Sequence, residues 1–318
     1  MKVLSVIVPA YNVEKYINRC LDSLVYNEKC LDDIETIVVD DGSLDDTYKI
    51  VKNYEKKYPG SVMVIRKENG GHGSTINVGL ELASGSYVKV LDGDDWFNIF
   101  DMPEFINKLS NESADIVVTN YKRVLLYEEK EKCFNFSRNV SSGGSYKISD
   151  AVEEINGADF FFKFSMPSMA IKTEVLKKAW GEGLPEKRFY VDQLFVAKVL
   201  MAANTYAVYN LDIYRHFIGR SDQSIGVTGF YNHRFDHEFV LKILLSMYNE
   251  IQDESKKDIL RQQLVLMIET QYKIYYHRRG LMKKDRKELL RFDKFLKTNY
   301  DEIYKIKTVS ISMLRRIR

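Results

Sequence analysis

The sequence predicts an α/β fold, a doubly wound sheet over residues 1–230, with a helical appendage over residues 231–318. Three observations carry this expectation. Apolar, β-branched stretches alternate with segments of helical period through the first hundred residues, as in βαβ units. Each stretch runs into a polar loop, and in a parallel sheet such loops gather on one edge. After Gly229 the pattern changes to long apolar stripes at helical spacing.

In order, residues 3–8, 34–39, 62–65 and 87–91 read as buried strands, and residues 13–24, 45–58 and 74–83 as the helices between them. Ile17, Leu21 and Leu24 share a face of the first helix; Tyr48, Val51 and Tyr54 or Tyr58 share one of the second. Residues 115–119 form another strand candidate, ahead of a polar stretch in which residues 141–145 read as an exposed turn. Residues 146–230 mix helices and short strands. Residues 239–247, 259–276 and 284–296 each carry an apolar helical stripe, with Gly280 as a break.

With 318 residues and 45% hydrophobic content, the chain can bury one large core or a main domain with a smaller appendage. The 21 Tyr and 17 Phe supply core mass and also suit ring-face contacts in sugar or nucleoside pockets. Net charge is +2, but residues 231–318 hold 20 Lys/Arg against 12 Asp/Glu, while residues 1–230 hold 27 against 33. The basic end could meet anionic headgroups or an anionic polymer, or be a solvated helical surface. Nucleic acid is not an expected partner. Cys20, Cys30 and Cys133 form no CxxC pair, which argues against a disulfide framework or a zinc site and for a reducing cytosol. Residues 1–8 are too short for a signal-peptide core, and no run is long enough to span a bilayer.

The densest chemistry lies at Asp92-Gly93-Asp94-Asp95-Trp96, where an apolar strand runs straight into three carboxylates. Oxygen-only ligands of this kind suit Mg2+ or Mn2+ and leave sites for substrate phosphates. An Asp-Gly turn is the plainer alternative. Pro9-Ala10-Tyr11-Asn12, Asp40-Asp41-Gly42-Ser43 and Asn69-Gly70-Gly71-His72-Gly73 follow the other strands. Their glycines could cradle phosphate before a helix, but tight turning and close backbone approach are the preferred reading. A haloacid-dehalogenase phosphohydrolase would place Asp-x-Asp directly after the first strand, where Pro9-Ala10-Tyr11-Asn12 stands. A sugar nucleotidyltransferase would want a Gly-rich loop with Arg and Lys there.

Taken as an ordered set, residues 5–12, Val38-Val39-Asp40-Asp41-Gly42-Ser43 with Asp46-Thr47, and the acidic cluster resemble family-2 glycosyltransferases of the GT-A fold. The resemblance covers most of residues 1–230 and implies a doubly wound mixed sheet. It further implies an inverting, metal-dependent hexosyl- or N-acetylhexosaminyltransferase using a nucleotide-diphosphate sugar, expected to be a UDP-sugar. Its acceptor would be a glycan or lipid-linked hydroxyl in polysaccharide synthesis.

By that resemblance, Pro9, Tyr11, Asp41, Asp92, Gly93 and Arg220 would bind donor, Tyr11 against the base and Asp41 accepting its N–H. Asp94, with His216, would hold Mn2+ or Mg2+. Asp95 and Trp96 would support the loop or meet acceptor. Asp192, ahead of an apolar helix, would be the base that takes the acceptor proton; its plainer role is a helix N-cap. Ile76 and Val191 replace the family's usual Arg and Glu, so donor recognition is expected to differ. Residues 214–220 with Asp222-Gln223-Ser224 look like a donor-closing loop in which Arg215 could pair with the acid cluster. A cytoplasmic location, peripheral at the inner membrane face through the basic helices, and a homo-oligomer are compatible with this picture. The alternative is an inactive relative that keeps the pocket as an assembly module.

Overall fold

Strands β1 (Leu4–Ala10) and β2 (Ile34–Asp40) are buried along their whole length, as uninterrupted apolar runs are when layers cover both faces of a sheet. The computed structural model describes residues 2–125, 131–134, 141–151, 163–219, 227–276 and 283–306. Helix α1 (Ile17–Val25) joins the first two strands. Helix α2 (Thr47–Lys57) leads to β3 (Val62–Arg66), and α3 (His72–Leu82) leads to β4 (Tyr87–Val90). Then follow β5 (Trp96–Phe97), α4 (Met102–Ser110), β6 (Ile116–Leu125), β7 (Glu131–Phe134), β8 (Ser145–Lys147), β9 (Met169–Lys172), α5 (Thr173–Ala179), α6 (Val191–Ala202) and β10 (Thr205–Ile218).

The strands form one mixed sheet in the order β3-β2-β1-β4-β9-β6-β10-β5, with β7 on β6 and β8 on β10. The segment β3-β2-β1-β4 is parallel. Strand β9 runs antiparallel between β4 and β6, and β10 is parallel to β6. The loops after β1 to β4 therefore leave from the same edge, as the sequence pattern requires. One face is closed by α3, whose Gly79 lies against Ile7 so closely that a Cβ would overlap its side chain. On the other, Ile17, Leu21 and Leu24 of α1 and Val51 of α2 join Leu4, Val6 and Val8 in the core.

The polar segment 214–218 differs from its expectation as a loop. It is the end of β10, paired with Tyr121 to Leu125 of β6, and Tyr214 is buried there. Buried Ile213, Tyr214 and Phe217 outweigh the polar residues among them, so a strand forms. Arg220 and residues 222–224 lie outside the described residues.

The chain divides into two compact units, Met1–Arg220 and Ser221–Arg318, ten residues before the boundary expected at 230. The second unit comprises α7 (Val227–Asn232), α8 (Arg234–Glu250), α9 (Glu254–Tyr276), α10 (Lys283–Asn299) and α11 (Asp301–Lys305). Its three long helices match the apolar stripes, and Leu241, Leu244, Leu260, Leu264, Phe292 and Leu296 form its fully buried interior. Within that unit Glu238 is buried and satisfied by Arg291, Lys242 and Tyr275. Gly280 and the stretch 314–318 lie outside the described residues. No helix among those described is long and apolar enough to cross a membrane.

Candidate active site

The site is built where β1, β2 and β4 end together. Tyr11, the first residue past β1, is 47% exposed, so it is not a core ring. Its loop is laced to the next one: Asn12 N–H donates to Ser43 Oγ at 3.0 Å, and Leu44 N–H to Asn12 Oδ1 at 2.8 Å. Pro9 is buried within β1, and its carbonyl accepts Gly93 N–H at 3.1 Å. A Cβ on Gly93 would come within 3.0 Å of that carbonyl, which explains the glycine there.

Asp40 and Asp41 end β2 with different tasks. Asp40 accepts Ser43 N–H and pairs with Arg66 Nε at 3.2 Å. Buried Asp41 accepts the N–H groups of Gly70 at 2.9 Å and Gly71 at 2.7 Å, and pairs with Lys67 Nζ at 3.0 Å. Two N–H groups of the glycine loop are therefore committed to Asp41, in line with its reading as a turning and close-approach device. Neither residue caps α2, whose N-cap is Asp46.

The acidic loop is a turn as well as a charge cluster, since Asp95 N–H donates to Asp92 O at 2.9 Å. Asp92 and Asp94 are half-buried beside the crevice. Asp95 points inward, where Tyr214 OH donates to it at 2.5 Å and Phe217 N–H at 2.7 Å. Burial, with the charges of Asp94 and Asp92, pushes its carboxyl well above the usual range. Asp95 thus ties the loop to β10. Trp96 is an anchor of the same kind: the Arg19 guanidinium lies 3.6 Å from its ring centroid, beside Phe217, and donates to Asp94 O at 3.0 Å.

Asp192 is the second residue of α6, and the N-cap is Tyr190, held in the left-handed region at φ 64°. The capping role considered for Asp192 is therefore excluded. Its carboxylate accepts Gln193 Nε2–H at 3.0 Å. Burial raises its pKa, with Gln193 and His72 opposing. Val191 is buried and packs toward Gly73, an apolar contact that the family's usual Glu would not make.

His216 is half-buried in β10, and burial lowers its pKa to about 4, with Arg123 adding to the effect and Asp92 opposing it. Arg215 does not reach the acids of the cluster. Its guanidinium grips Asp212 at 2.7 and 2.9 Å, because three residues along β10 the bulge turns Asp212 back toward it. Among the described residues, no three His, Cys, Asp or Glu side chains converge on a metal position. The donor set nevertheless fits a hard divalent cation held by one or two carboxylates, with substrate oxygens completing its shell. The repulsion from Asp94 and Asp92 that adds to burial in lifting Asp95 is charge such a cation would offset.

Sequence reasoning left four contributors without a role: Lys67, His72, Arg19 and Tyr214. His72 Nε2 lies 2.8 Å from Asp92 Oδ1. Burial disfavours the charged ring, but Asp92 outweighs it and raises the His72 pKa. The signal for Lys67 and His72 was their place after β3 on the ligand edge; Arg19 lies on a helix and Tyr214 in a strand, where periodicity reads only packing.

An open mixed sheet with acids at the ends of parallel strands and a half-buried carboxylate at the start of α6 is the arrangement of a GT-A glycosyltransferase. The sequence pattern of Glycosyl transferase family 2 matches residues 5–164, and the chain belongs to that family. It is 34% identical over 181 residues to the glycosyltransferase GlyA of Streptococcus pneumoniae, covering 56% of this chain and 24% of GlyA. It is 29% identical over 258 residues to the poly(ribitol-phosphate) beta-N-acetylglucosaminyltransferase TarS of Staphylococcus aureus, covering 81% and 43%. The chain therefore spans less than half the length of either relative. The crystal structure of TarS residues 1–349 in complex with UDP-GlcNAc superposes with a TM-score of 0.70 at 22% identity, covering 95% of this chain and 83% of that one.

Proposed function

We propose that this glycosyltransferase moves a sugar, with inversion, from a UDP-sugar to a hydroxyl of a cell-surface glycan or lipid-linked acceptor. The observation that carries the reading is the gathering of Tyr11, Asp41, Asp92 and Asp94 at the ends of neighbouring strands, with Asp192 near enough to feel the charges of His72 and Asp92. TarS, a family relative, is solved with UDP-GlcNAc, which supports the uridine donor. Tyr11 would cover the base and Asp41, with Lys67, would line its edge. Asp92 would hold the ribose side, and Pro9 and Gly93 would shape the floor through backbone contact. Arg220 is retained as a diphosphate contact on the family resemblance alone.

Asp192 would accept the proton of the acceptor hydroxyl as that oxygen attacks the anomeric carbon opposite the departing diphosphate. A carboxyl raised by burial is a better base than an exposed one. Asp94, with Asp92 and His216 beside it, would hold Mn2+ or Mg2+, which neutralises charge growing on the leaving diphosphate. The basic residues of 231–318 would favour an anionic membrane surface near a lipid-linked acceptor.

Release of nucleoside diphosphate from a panel of sugar nucleotides with Mn2+ tests this. Turnover is expected with a UDP-sugar, and Asp192→Asn should lower the rate by about 100-fold or more. No turnover with any donor removes the transfer reading; a full rate in Asp192→Asn removes only the base.

A further inference from the structure

The Gly70–Gly73 loop is joined to three parts of the site at once. On one side its N–H groups at Gly70 and Gly71 are held by Asp41. On the other, Lys187 N–H donates to Gly70 O at 2.6 Å. Added Cβ atoms at Gly71 and Gly73 would lie 3.2 Å from Lys187 N and 2.8 Å from Pro185 O. Residues 184–190 in turn lead directly into α6 and Asp192. Asn77, one turn and a half along α3, fastens the same strap by accepting Leu184 N–H at 2.8 Å and Trp180 Nε1–H at 3.0 Å.

Glycines at three of four positions leave a single side chain in this junction. It belongs to His72, the first residue of α3, whose Nε2 lies 2.8 Å from Asp92 Oδ1 while about one third of the side chain stays exposed. An ionised carboxylate only accepts, so the imidazole presents Nε2–H. One Asp92 oxygen is then fixed by the loop that carries His72.

We propose that His72 is a positioning residue of the transfer site, holding Asp92 at a set distance from Asp192 because the loop that carries it is bonded to both the Asp41 side and the Asp192 strap. This rests on the transferase reading above. His72 acts through Asp92, so its effect falls on donor geometry, and a side chain that keeps the N–H donor replaces it in part. The glycines matter to function for the same reason: they let donor-side and base-side elements share one anchored turn.

The test uses the full chain and UDP-GlcNAc turnover with Mn2+, or the UDP-sugar the panel selects, together with UDP affinity by calorimetry. His72→Phe keeps the ring but loses the donor, and should cut kcat/KM by about 10- to 100-fold, the range for groups that orient a ligand side chain. Its thermal midpoint should match wild type. His72→Gln should recover part of the loss. In an Asp92→Ala background, His72→Phe should weaken UDP binding no further, since residues acting through one contact are not additive. Wild-type kinetics in His72→Phe, equal losses in the Gln and Phe variants, or independent losses in the double variant each overturn the proposal. Wild-type protein that neither binds nor turns over any nucleotide sugar overturns the transferase reading itself, and the role of His72 falls with it.

Discussion

Lys89 is fully buried in β4, three residues before the acids, and donates to Pro167 O at 2.6 Å and Met169 O at 3.1 Å. Burial pushes its pKa down to about 7 from the ordinary 10.5. A neutral amine has two N–H groups, and two carbonyls face it. Between pH 7 and 10.5 the unfolded chain carries a proton that the folded chain does not. Stability should therefore rise with pH across that window, by up to ~1.4 kcal/mol per pH unit. Lys89→Met removes this slope; denaturant midpoints of the two proteins at pH 7.5 and 9.5 measure it. Parallel pH profiles would disprove the assignment. At this scale the placement of Asp192, Asp94 and Tyr11, at a helix start or just past strand ends, was legible in the sequence. His72 and Tyr214 were not, because a hydrogen bond across 20 or more residues leaves no mark in local pattern.

Among the elements, α3 carries the most consequence for its length. Gly79 in its interior costs helix propensity, roughly 1 kcal/mol against alanine, yet the helix needs it to lie on Ile7. Gly79→Ala should overfill that contact by about 1–3 kcal/mol, exceeding the propensity gain and lowering the thermal midpoint. A raised midpoint would show that the sheet yields there. The parallel strands and their helices were readable within a few residues, since double-sided burial gives continuous apolar runs and helices give stripes. Strand β10 was less readable. Its bulges around Asp212 break the alternation, so its polar end resembled a loop.

For the whole molecule, each unit has its own buried interior, so cavity mutations can be read unit by unit. Leu264→Ala in α9 should destabilise the helical unit by about 2–5 kcal/mol, seen as an early loss of helical circular dichroism in denaturant. An unshifted transition would mean that Leu264 is not in a closed core. The order of strands also bears on how the chain is made. Leu4 in β1 pairs with Ile34 on one side and Tyr87 on the other. Strand β1 thus leaves the ribosome ahead of its second neighbour and waits for β4 before both its edges are covered, about 4–16 s at synthesis rates of about 5–20 residues per second. During that interval nascent chains expose an unpaired apolar edge, and ribosome-bound chaperones should crosslink to chains stalled before Tyr87 far more than to those stalled past α3 and β4.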